Sequence, residues 1–482
     1  MRDVVDKPIY FKMTRRRLVR PLPLLLLMTL PLQTASQNLF QKMARFATGG
    51  KKSSDSSLDK IPTATLSNGV VFPLVGLGVG NMGGDVIPSM VASALQNDKK
   101  ILLFDTSNVS KSEHLVAKGI TDGLDELKKD ASSANLQIHV VTKVWYTHLG
   151  YDRTKHAVET SMGAMKEVID NADVDLKVHV MIHWPRCYDS IPWMNCEEEE
   201  NALPDEVKQA GPPPHLDKVN AWKGSWKALE DMYQEKTFPI ASIGISNFHL
   251  KEVEALAELA RVQPHIIQTN IWSLLYDPLL IDYCHRNSIH LQAFHLMNGV
   301  LQKQEISPFA FHHMDFVANE LKKDMASKRA GDTGTNITAA QVLIAWLVQH
   351  QISVIPRTTN KDHLLENSAV EIAKIPELTD IQVKTIAHSV EALLSGEDLK
   401  EDAYIKVTFH AKTKDIFLYW ADHEYGGEIQ VSKIDKGRSF EESSHPGHTF
   451  RIYDSEETHG DKKSFQLFTV EGNYGDHHHI EL

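Results

Sequence analysis

Three side chains capable of proton transfer follow three neighbouring apolar runs. The run ILLFDT carries Asp105, IHVVTKVW carries Lys143, and VHVMIHWP carries His183. A carboxylate, an ammonium group and an imidazole held close together can form a hydrogen-bonded relay, which proton-transfer chemistry requires. Whether these three groups meet depends on the elements that carry them.

Four later runs carry groups that suit other parts of a ligand. Hydroxyl and amide groups can bind a carboxamide, an aromatic face can stack on a flat ring, and a cation beside a hydroxyl suits a phosphate. The residues concerned are Ser246, Asn247, Gln268, Phe294, His295, Arg357 and Thr358.

Eight short runs rich in valine and isoleucine alternate with amphipathic stretches. The runs cover 71–79, 101–106, 138–145, 178–185, 240–247, 265–272, 289–296 and 351–358. Near-continuous apolarity is typical of strands buried on both faces. In the stretches between these runs, apolar residues recur at a spacing of three and four, which is typical of helices with one apolar face. We therefore predict an α/β fold, a (β/α)8 TIM barrel, in which the strand ends named above share one face. The alternative is an open doubly wound sheet, but GLGVGNMGG fits its glycine fingerprint poorly.

The chain beyond the barrel has a different pattern. From Tyr404 the runs YIKVTFHA, IFLYWAD, GEIQVSKI, HTFRIYD and SFQLFTV alternate with period two and are separated by turn signals such as YGGE and HPGH. This predicts a small all-β sandwich following the barrel.

The two ends of the sequence resemble targeting signals. A basic segment, a leucine-rich run and small residues predict a signal peptide at 1–36, with a membrane-surface or signal-anchor segment as the alternative. The apolar run is too short for a stable membrane span. A linker at 37–60, a barrel at 61–398 and a β domain at 402–482 would follow. The final HIEL resembles a retrieval signal, so we expect the endoplasmic reticulum lumen.

Composition narrows the classes of ligand. The 482 residues carry a net charge of −12, which disfavours nucleic acid as a partner.

Of the three cysteines, Cys187 and Cys196 share one acidic loop and could pair in an oxidising compartment. The sequence has no CxxC, and we predict no metal site. Sequons at Asn108 and Asn336 suggest a glycoprotein, although burial is expected to prevent modification of Asn108.

The runs taken together resemble one enzyme family. The segments LSNGVVFPLVGLGVG, FDTSNVSKSE, VVTKVW, MIHWP, IGISNFHL and TAAQVLIAWLVQHQISVIPRTTNKDHLLEN resemble the aldo-keto reductases, in chain order, over about residues 62–395. The resemblance implies an NAD(P)H-dependent oxidoreductase that reduces an aldehyde or ketone, usually with NADPH, while NADH remains open. Hydride would reach the carbonyl carbon, and a tyrosine tuned by lysine and aspartate would protonate the oxygen.

The resemblance also implies roles for individual residues. Asp105 and Lys143 match the tuning pair, and His183 matches the residue that orients the substrate. Ser246, Asn247 and Gln268 would contact the nicotinamide amide, and Phe294 would stack on its ring. Arg357 and Thr358 would bind the 2′-phosphate, with His363 at a position where an arginine often stands. Glu366 and Asn367 would contact the adenine.

One departure from the family pattern affects the chemistry directly. Ser110 stands where the catalytic tyrosine is expected. A serine hydroxyl is a much poorer acid than a phenol, whose pKa is ~10 before tuning. Three outcomes stay open: His183 donates the proton, a water held by Ser110, Lys143 and His183 replaces the phenol, or the barrel binds cofactor without turnover, as a regulatory protein.

The β region resembles a second family. The stretch from IFLYWAD to HTFRIYD is similar to the β domain of the von Hippel-Lindau tumour suppressor, which holds a hydroxyproline-containing peptide. Trp420, Ser444 and His448 match pocket positions of that domain, whereas Ser432 and Phe450 replace a tyrosine and a tryptophan. The resemblance implies a peptide or protein ligand for this domain.

Overall fold

The structure is a computed structural model of the chain. It describes residues 61–129, 136–188, 191–271, 277–301, 308–328, 337–395, 405–421, 428–444, 449–455, 465–470 and 476–482. The predicted signal peptide at 1–36 and linker at 37–60 lie outside the described residues.

Eight parallel strands form the barrel, as the sequence predicted. In sheet order along the chain they are β3 (Leu77–Gly78), β4 (Leu103–Asp105), β5 (Leu136–Val144), β6 (Val174–Ile182), β7 (Ile240–Ser246), β8 (Ile266–Asn270), β9 (His290–Phe294) and β10 (Ser353–Val354). Backbone hydrogen bonds from Gly76 N to Val354 O (2.8 Å) and from Val354 N to Leu74 O (2.8 Å) join the last strand to the first. The sheet is therefore closed, and the open doubly wound alternative is wrong.

Helices connect and surround these strands. They are α1 (Ile87–Leu95), α2 (Glu113–Lys129), α3 (Tyr151–Ala164), α4 (Lys166–Ile169), α5 (Cys196–Asn201), α6 (Asp205–Ala210), α7 (Ala221–Glu235), α8 (Leu250–Leu259), α9 (Pro278–Arg286), α10 (Leu296–Gly299), α11 (Pro308–Lys328), α12 (Ala339–Gln349), α13 (Lys361–Glu366), α14 (Ala369–Ile372) and α15 (Asp380–Ser395). Helix α12 begins with a capping box, in which Thr338 Oγ1 accepts from Gln341 N and Gln341 Oε1 accepts from Thr338 N.

A hairpin closes the floor of the barrel. Strands β1 (Thr63–Thr65) and β2 (Val71–Pro73) pair antiparallel, and the buried ring of Phe72 contacts the rings of His139, His179 and His290 edge-on at 4.8–5.7 Å. The predicted first strand, 71–79, is thus divided between this hairpin and barrel strand β3.

Of the floor histidines, His139 and His179 are fully buried and His290 is half-buried, and each makes a hydrogen bond. His139 Nδ1 lies 2.9 Å from His179 Nε2, and His290 Nε2 lies 3.0 Å from Ser353 Oγ. Burial lowers the pKa of His139 to about 3 and that of His290 to about 4, with the positive charge of Lys177 adding to the shift at His139. These rings are therefore neutral at physiological pH.

The C-terminal region is all-β, as predicted. Its strands are β11 (Ile405–His410), β12 (Ile416–Ala421), β13 (Glu428–Ile434), β14 (Ser439–Ser444), β15 (Thr449–Tyr453), β16 (Phe465–Thr469) and β17 (His477–Glu481). They form a three-stranded sheet in the order β14-β11-β17 and a four-stranded sheet in the order β13-β12-β15-β16. Phe409, Leu418 and Phe450 belong to a hydrophobic cluster separate from that of the barrel.

The described residues contain no helix that is both long enough and apolar enough to cross a membrane. The leucine-rich run near the start of the sequence lies outside the described residues.

Candidate active site

A cavity of about 890 Å³ opens at the carboxyl ends of the barrel strands. Most of the predicted site residues line it: Asp105, Ser110, Lys143, His183, Asn247, Gln268, Phe294 and Arg357. Parallel strands in a barrel end on one face, which explains why residues far apart in the sequence meet here.

Lys143 and Asp105 form a buried ion pair between β5 and β4. Lys143 Nζ donates to both carboxylate oxygens of Asp105 at 2.7 Å and to the carbonyl oxygen of Thr106 at 2.8 Å. An ammonium group has three protons to donate, so these contacts account for all of them. The relay predicted from the sequence is therefore present as a pair, with Lys143 fully engaged.

A buried amide chain extends this pair across the barrel. Gln268 Nε2 donates to Asp105 Oδ2 at 2.6 Å and to Gln292 Oε1 at 2.7 Å. The nitrogen of Gln268, which the resemblance assigned to the nicotinamide amide, is thus occupied by protein groups. Only the carbonyl oxygen of the Gln268 side chain remains available to a ligand. Nothing in the sequence pattern indicated the part played by Gln292.

Ser110 belongs to a cluster of hydroxyl groups rather than to the ion pair. It closes a 3₁₀ turn, Asn108–Ser110, and its Oγ donates to Ser107 O at 2.7 Å and lies 2.7 Å from Ser112 Oγ. Thr106 Oγ1 also contacts Ser112 Oγ at 2.7 Å. Because Lys143 has no proton left for Ser110, the ion pair does not tune this hydroxyl.

His183 lies at the end of β6 with its ring against Trp145. The two ring centroids are 4.9 Å apart in an edge-on arrangement, and His183 Nδ1 is buried with no hydrogen-bond partner among the described residues. Burial, with the positive charge of Lys143, lowers the pKa of His183 well below its usual value. The ring is therefore neutral, which argues against the hypothesis that a His183 imidazolium donates the proton.

Asn247 connects β7 to the loop that carries His183. Its backbone has a positive φ of 58°, which asparagine tolerates better than most residues, and its Nδ2 donates to His183 O at 3.0 Å and to Ser246 Oγ at 3.1 Å. Ser246 is fully buried behind Asn247 and does not line the cavity.

The opposite end of the cavity is lined by Phe294, His295 and Arg357. Arg357 Nη1 donates to Gly80 O at 3.0 Å and to Asn81 O at 3.2 Å, so its guanidinium is held against the loop after β3. The pKa of His295 is lowered by burial and by the positive charge of Arg357. This end presents an aromatic face and a fixed cation.

The remaining predicted residues lie on or beside α13, outside the cavity. Thr358 is half-buried, His363 is exposed, and Glu366 O accepts from Gln341 Nε2 at 3.0 Å. Asn367 is buried, and its Oδ1 has no hydrogen-bond partner among the described residues. An unpaired buried acceptor is costly unless a ligand donates to it, as an adenine amino group can.

Three tryptophans that were not predicted as part of the site lie at the cavity, and a disulfide lies in the loop that carries one of them. Trp145, Trp184 and Trp193 line the cavity. Cys187 and Cys196, whose pairing was left open by the sequence, are disulfide-bonded. The tryptophans follow the same strands as Lys143 and His183, so their position in the sequence could have indicated the site.

A model of the Aldo/keto reductase family matches residues 87–391. Among curated proteins, glyoxal reductase of Bacillus subtilis (strain 168) is 26% identical over 310 residues, covering 64% of this chain and 86% of that protein. The NAD(P)H-dependent D-xylose reductase of Kluyveromyces lactis is 27% identical over 335 residues, covering 67% of this chain and 91% of that protein.

Solved structures of related proteins are also similar to the chain. An aldo/keto reductase from Brucella melitensis covers 70% of this chain and 100% of that chain, with a TM-score of 0.45 and 20% identity. The Bombyx mori aldo-keto reductase in complex with NADP covers 68% and 93%, with a TM-score of 0.45 and 18% identity.

Proposed function

Since the chain belongs to the aldo/keto reductase family, we propose that it is an NAD(P)H-dependent oxidoreductase that reduces an aldehyde or ketone in the cavity at the strand ends. The observation that carries this proposal is the buried Lys143–Asp105 pair at the wall of that cavity, with His183 also lining it. Relatives that are named as NAD(P)H-dependent reductases support the choice of cofactor.

The residues fit a nicotinamide cofactor. When bound, the reduced cofactor supplies the hydride that converts a carbonyl to an alcohol. Phe294 offers a ring for stacking, Asn247 and the free oxygen of Gln268 offer polar contacts, and Arg357 offers a fixed cation for a phosphate. The unpaired Oδ1 of Asn367 is an acceptor suited to an adenine amino group. A basic residue for the 2′-phosphate favours NADPH over NADH.

The described contacts leave no side chain well suited to protonate the carbonyl oxygen. Ser110 donates to Ser107 O, Lys143 has no free proton, and His183 is neutral. A water hydrogen-bonded to His183 and Ser110 is the donor most compatible with these contacts. Loss of a tuned general acid lowers the rate by roughly 10²–10⁴-fold, so we expect a slow reductase.

A second function is favoured by the same contacts. Because the hydroxyl of Ser110 is engaged within its own cluster, the barrel could bind NADPH without turnover and act as a cofactor-sensing regulatory protein. The two functions share the cofactor site and differ only at the proton donor.

A single substitution separates these functions. We propose to follow NADPH and NADH oxidation by the full chain with aldehydes and ketones, alongside Ser110→Tyr. A slow reductase shows measurable turnover that rises by roughly 10²-fold or more in Ser110→Tyr and falls in His183→Ala. A regulatory barrel binds NADPH and turns over only in Ser110→Tyr.

The matched control is Ser107→Tyr, which places the same phenol on a neighbouring cavity residue. An equal gain in both tyrosine variants would contradict the assignment of position 110. Absence of NADPH and NADH binding in every variant would exclude both functions.

We propose a peptide ligand for the all-β region, on its resemblance to the von Hippel-Lindau β domain. The two sheets agree with that resemblance, whereas the side chains of Ser444 and Phe450 are buried rather than open to a ligand. His448 and the side chain of Trp420 lie outside the described residues. Calorimetric titration with proline- and hydroxyproline-containing peptides tests the proposal, and equal or absent binding of the two peptides would contradict it.

We also propose the endoplasmic reticulum lumen as the compartment. The Cys187–Cys196 disulfide supports an oxidising environment. Asn108 is half-buried beside the cavity, whereas Asn336 lies outside the described residues. In secretory cells we expect a glycosidase-sensitive form that Asn336→Gln removes and Asn108→Gln leaves unchanged. Cytosolic staining without any glycan would contradict the proposal.

A further inference from the structure

Two buried glutamine side chains contact each other on neighbouring strands of the barrel. Gln268 of β8 and Gln292 of β9 lie directly opposite each other in the parallel pairing of these strands. Gln268 lines the cavity, whereas Gln292 is fully buried and does not line it. Gln268 Nε2 donates to Gln292 Oε1 at 2.7 Å. Any effect of Gln292 on a ligand must therefore be transmitted through Gln268.

The direction of both amides follows from the ion pair at the cavity wall. Asp105 pairs with Lys143 as a carboxylate, so its oxygens accept hydrogen bonds and cannot donate them. Gln268 must therefore turn its nitrogen toward Asp105, and its Nε2 donates to Asp105 Oδ2 at 2.6 Å. Because the same nitrogen gives its second proton to Gln292, Gln292 must present its oxygen. The atom of Gln268 that is left for a ligand is Oε1.

Gln292 carries a buried donor as a result. Its Nε2 makes no hydrogen bond within the part of the chain that the structure describes. Reversing the amide would place two NH₂ groups against each other at Gln268. A buried donor without a partner is costly, and an apolar side chain of similar length would avoid that cost. Such a local violation is expected where a site uses the arrangement that it maintains.

A second amide on the cavity wall is turned in the same way. Asn247 Nδ2 donates to His183 O at 3.0 Å and to Ser246 Oγ at 3.1 Å, which accounts for both of its protons. Its remaining polar atom is Oδ1. Asn247 and Gln268 therefore both offer oxygen acceptors to the cavity, and such acceptors suit the NH₂ group of a ligand, whereas a methyl group has no proton to give them.

We propose that Gln292 is a positioning residue that holds Gln268 with its oxygen toward the cavity, so that the site selects a cofactor whose pyridine ring carries a carboxamide NH₂ group. This inference rests on the proposed carbonyl reduction with a nicotinamide cofactor. The NH₂ group of nicotinamide would donate to Gln268 Oε1. An acetyl group in place of the carboxamide keeps the carbonyl oxygen but presents a methyl group to the same acceptor.

Binding to the full chain without any carbonyl substrate tests the inference, and no turnover is involved. Titration followed by tryptophan fluorescence would compare NADP⁺ with its 3-acetylpyridine analogue, in which a methyl group replaces the NH₂ group. Because the analogue leaves a largely buried acceptor unpaired, we expect NADP⁺ to bind roughly tenfold tighter. This comparison uses the unmodified chain and does not depend on the folding of any variant.

Two substitutions at position 292 test the positioning role. Gln292→Met removes the acceptor for Gln268, whose amide is then held only through Asp105 and is free to turn. We expect the preference for NADP⁺ to fall to about threefold or less. Gln292→Glu keeps an oxygen that accepts from Gln268, since a buried carboxyl beside Asp105 stays protonated, and it should retain the preference.

The midpoint of urea unfolding separates positioning from a structural role. Gln292→Met should leave the midpoint nearly unchanged, because one unpaired donor is removed while the donor released on Gln268 can turn toward the cavity. The matched control is Gln382→Met, at a buried glutamine outside the cavity whose Oε1 accepts from Thr379 N at 3.1 Å. It should lower the midpoint and leave the preference unchanged.

The outcomes separate the inference from the proposed function. Equal affinity of the unmodified chain for NADP⁺ and its analogue, a full preference in Gln292→Met, or a lost preference in Gln292→Glu would overturn the inference and leave carbonyl reduction intact. A preference lost in Gln382→Met as well, or lost in Gln292→Met together with a large fall in midpoint, would indicate a structural role and would also overturn it. Failure of every form to bind either cofactor would overturn the proposed function, and with it the inference.

Discussion

Acidification should destabilise this protein through the histidines at the barrel floor. His139 is buried and His290 is half-buried, with pKa values of about 3 and about 4, whereas an unfolded histidine titrates near ~6.5. As pH falls through ~6.5, these histidines bind protons in the unfolded chain but stay neutral in the folded chain. The stability contributed by these neutral rings is therefore fully present above that pH and is lost below it.

The size of the effect follows from proton linkage. Between pH 7 and pH 5 each of the two histidines should lower the free energy of unfolding by about 2 kcal/mol, or about 4 kcal/mol together. His179 shifts in the same direction, with burial as the main cause and His139, His265, Lys177 and His290 adding positive charge when protonated. For a domain stable by ~5–15 kcal/mol, this is a large fraction of the total.

Urea unfolding followed by tryptophan fluorescence at pH 7, 6 and 5 measures the loss. The control is His290→Gln, whose amide can still hydrogen-bond Ser353 but cannot titrate. We expect the variant to be less stable at pH 7, with a dependence on pH that is shallower by about 1.4 kcal/mol per unit below pH 6. Identical slopes for the variant and the unmodified protein would refute the reasoning.

Three further predictions concern the site and its supports. Arg357→Gln should weaken NADPH binding by roughly tenfold and NADH binding much less, because only NADPH has a 2′-phosphate; equal losses in a fluorescence titration would contradict that assignment. Glu200→Ala leaves the buried Arg153 without its bidentate partner and should lower the free energy of unfolding by roughly 3–5 kcal/mol, whereas exposed Glu198→Ala should change it by less than ~0.5 kcal/mol. Phe72→Ala should lower it by roughly 3–5 kcal/mol in denaturant unfolding, because the ring fills the floor of the barrel; a loss below about 1 kcal/mol would mean that the floor collapses around the gap.

The barrel could be predicted because its strands are buried on both faces and therefore apolar throughout. In the β region, β14 (Ser439–Ser444) and β17 (His477–Glu481) were missed, since their sequences SFEESS and HHHIE lack apolar alternation. Both flank β11 in the three-stranded sheet, where backbone pairing rather than side-chain burial defines a strand.

Part of the candidate site was also predictable, because the barrel fold determines which strand ends meet. Position at a strand end was enough to bring Asp105 and Lys143 together, because barrel topology fixes where strands end. The direction of the Gln268 amide toward Asp105, and the hydrogen bonds of Ser110 within its turn, depend on side-chain rotamers and on partners such as Gln292. Neither spacing nor composition encodes those choices.

The contacts of Arg357 with Gly80 and Asn81 have a consequence for affinity. A free arginine side chain carries ~2 kcal/mol of rotamer entropy, which a ligand normally has to remove on binding. Here the two carbonyl oxygens already restrict the side chain through Nη1, while Nε and Nη2 make no contact with a described protein group that would occupy them. An arriving phosphate would therefore meet a guanidinium that is ordered in advance, and less side-chain entropy would be lost on binding than with a free arginine.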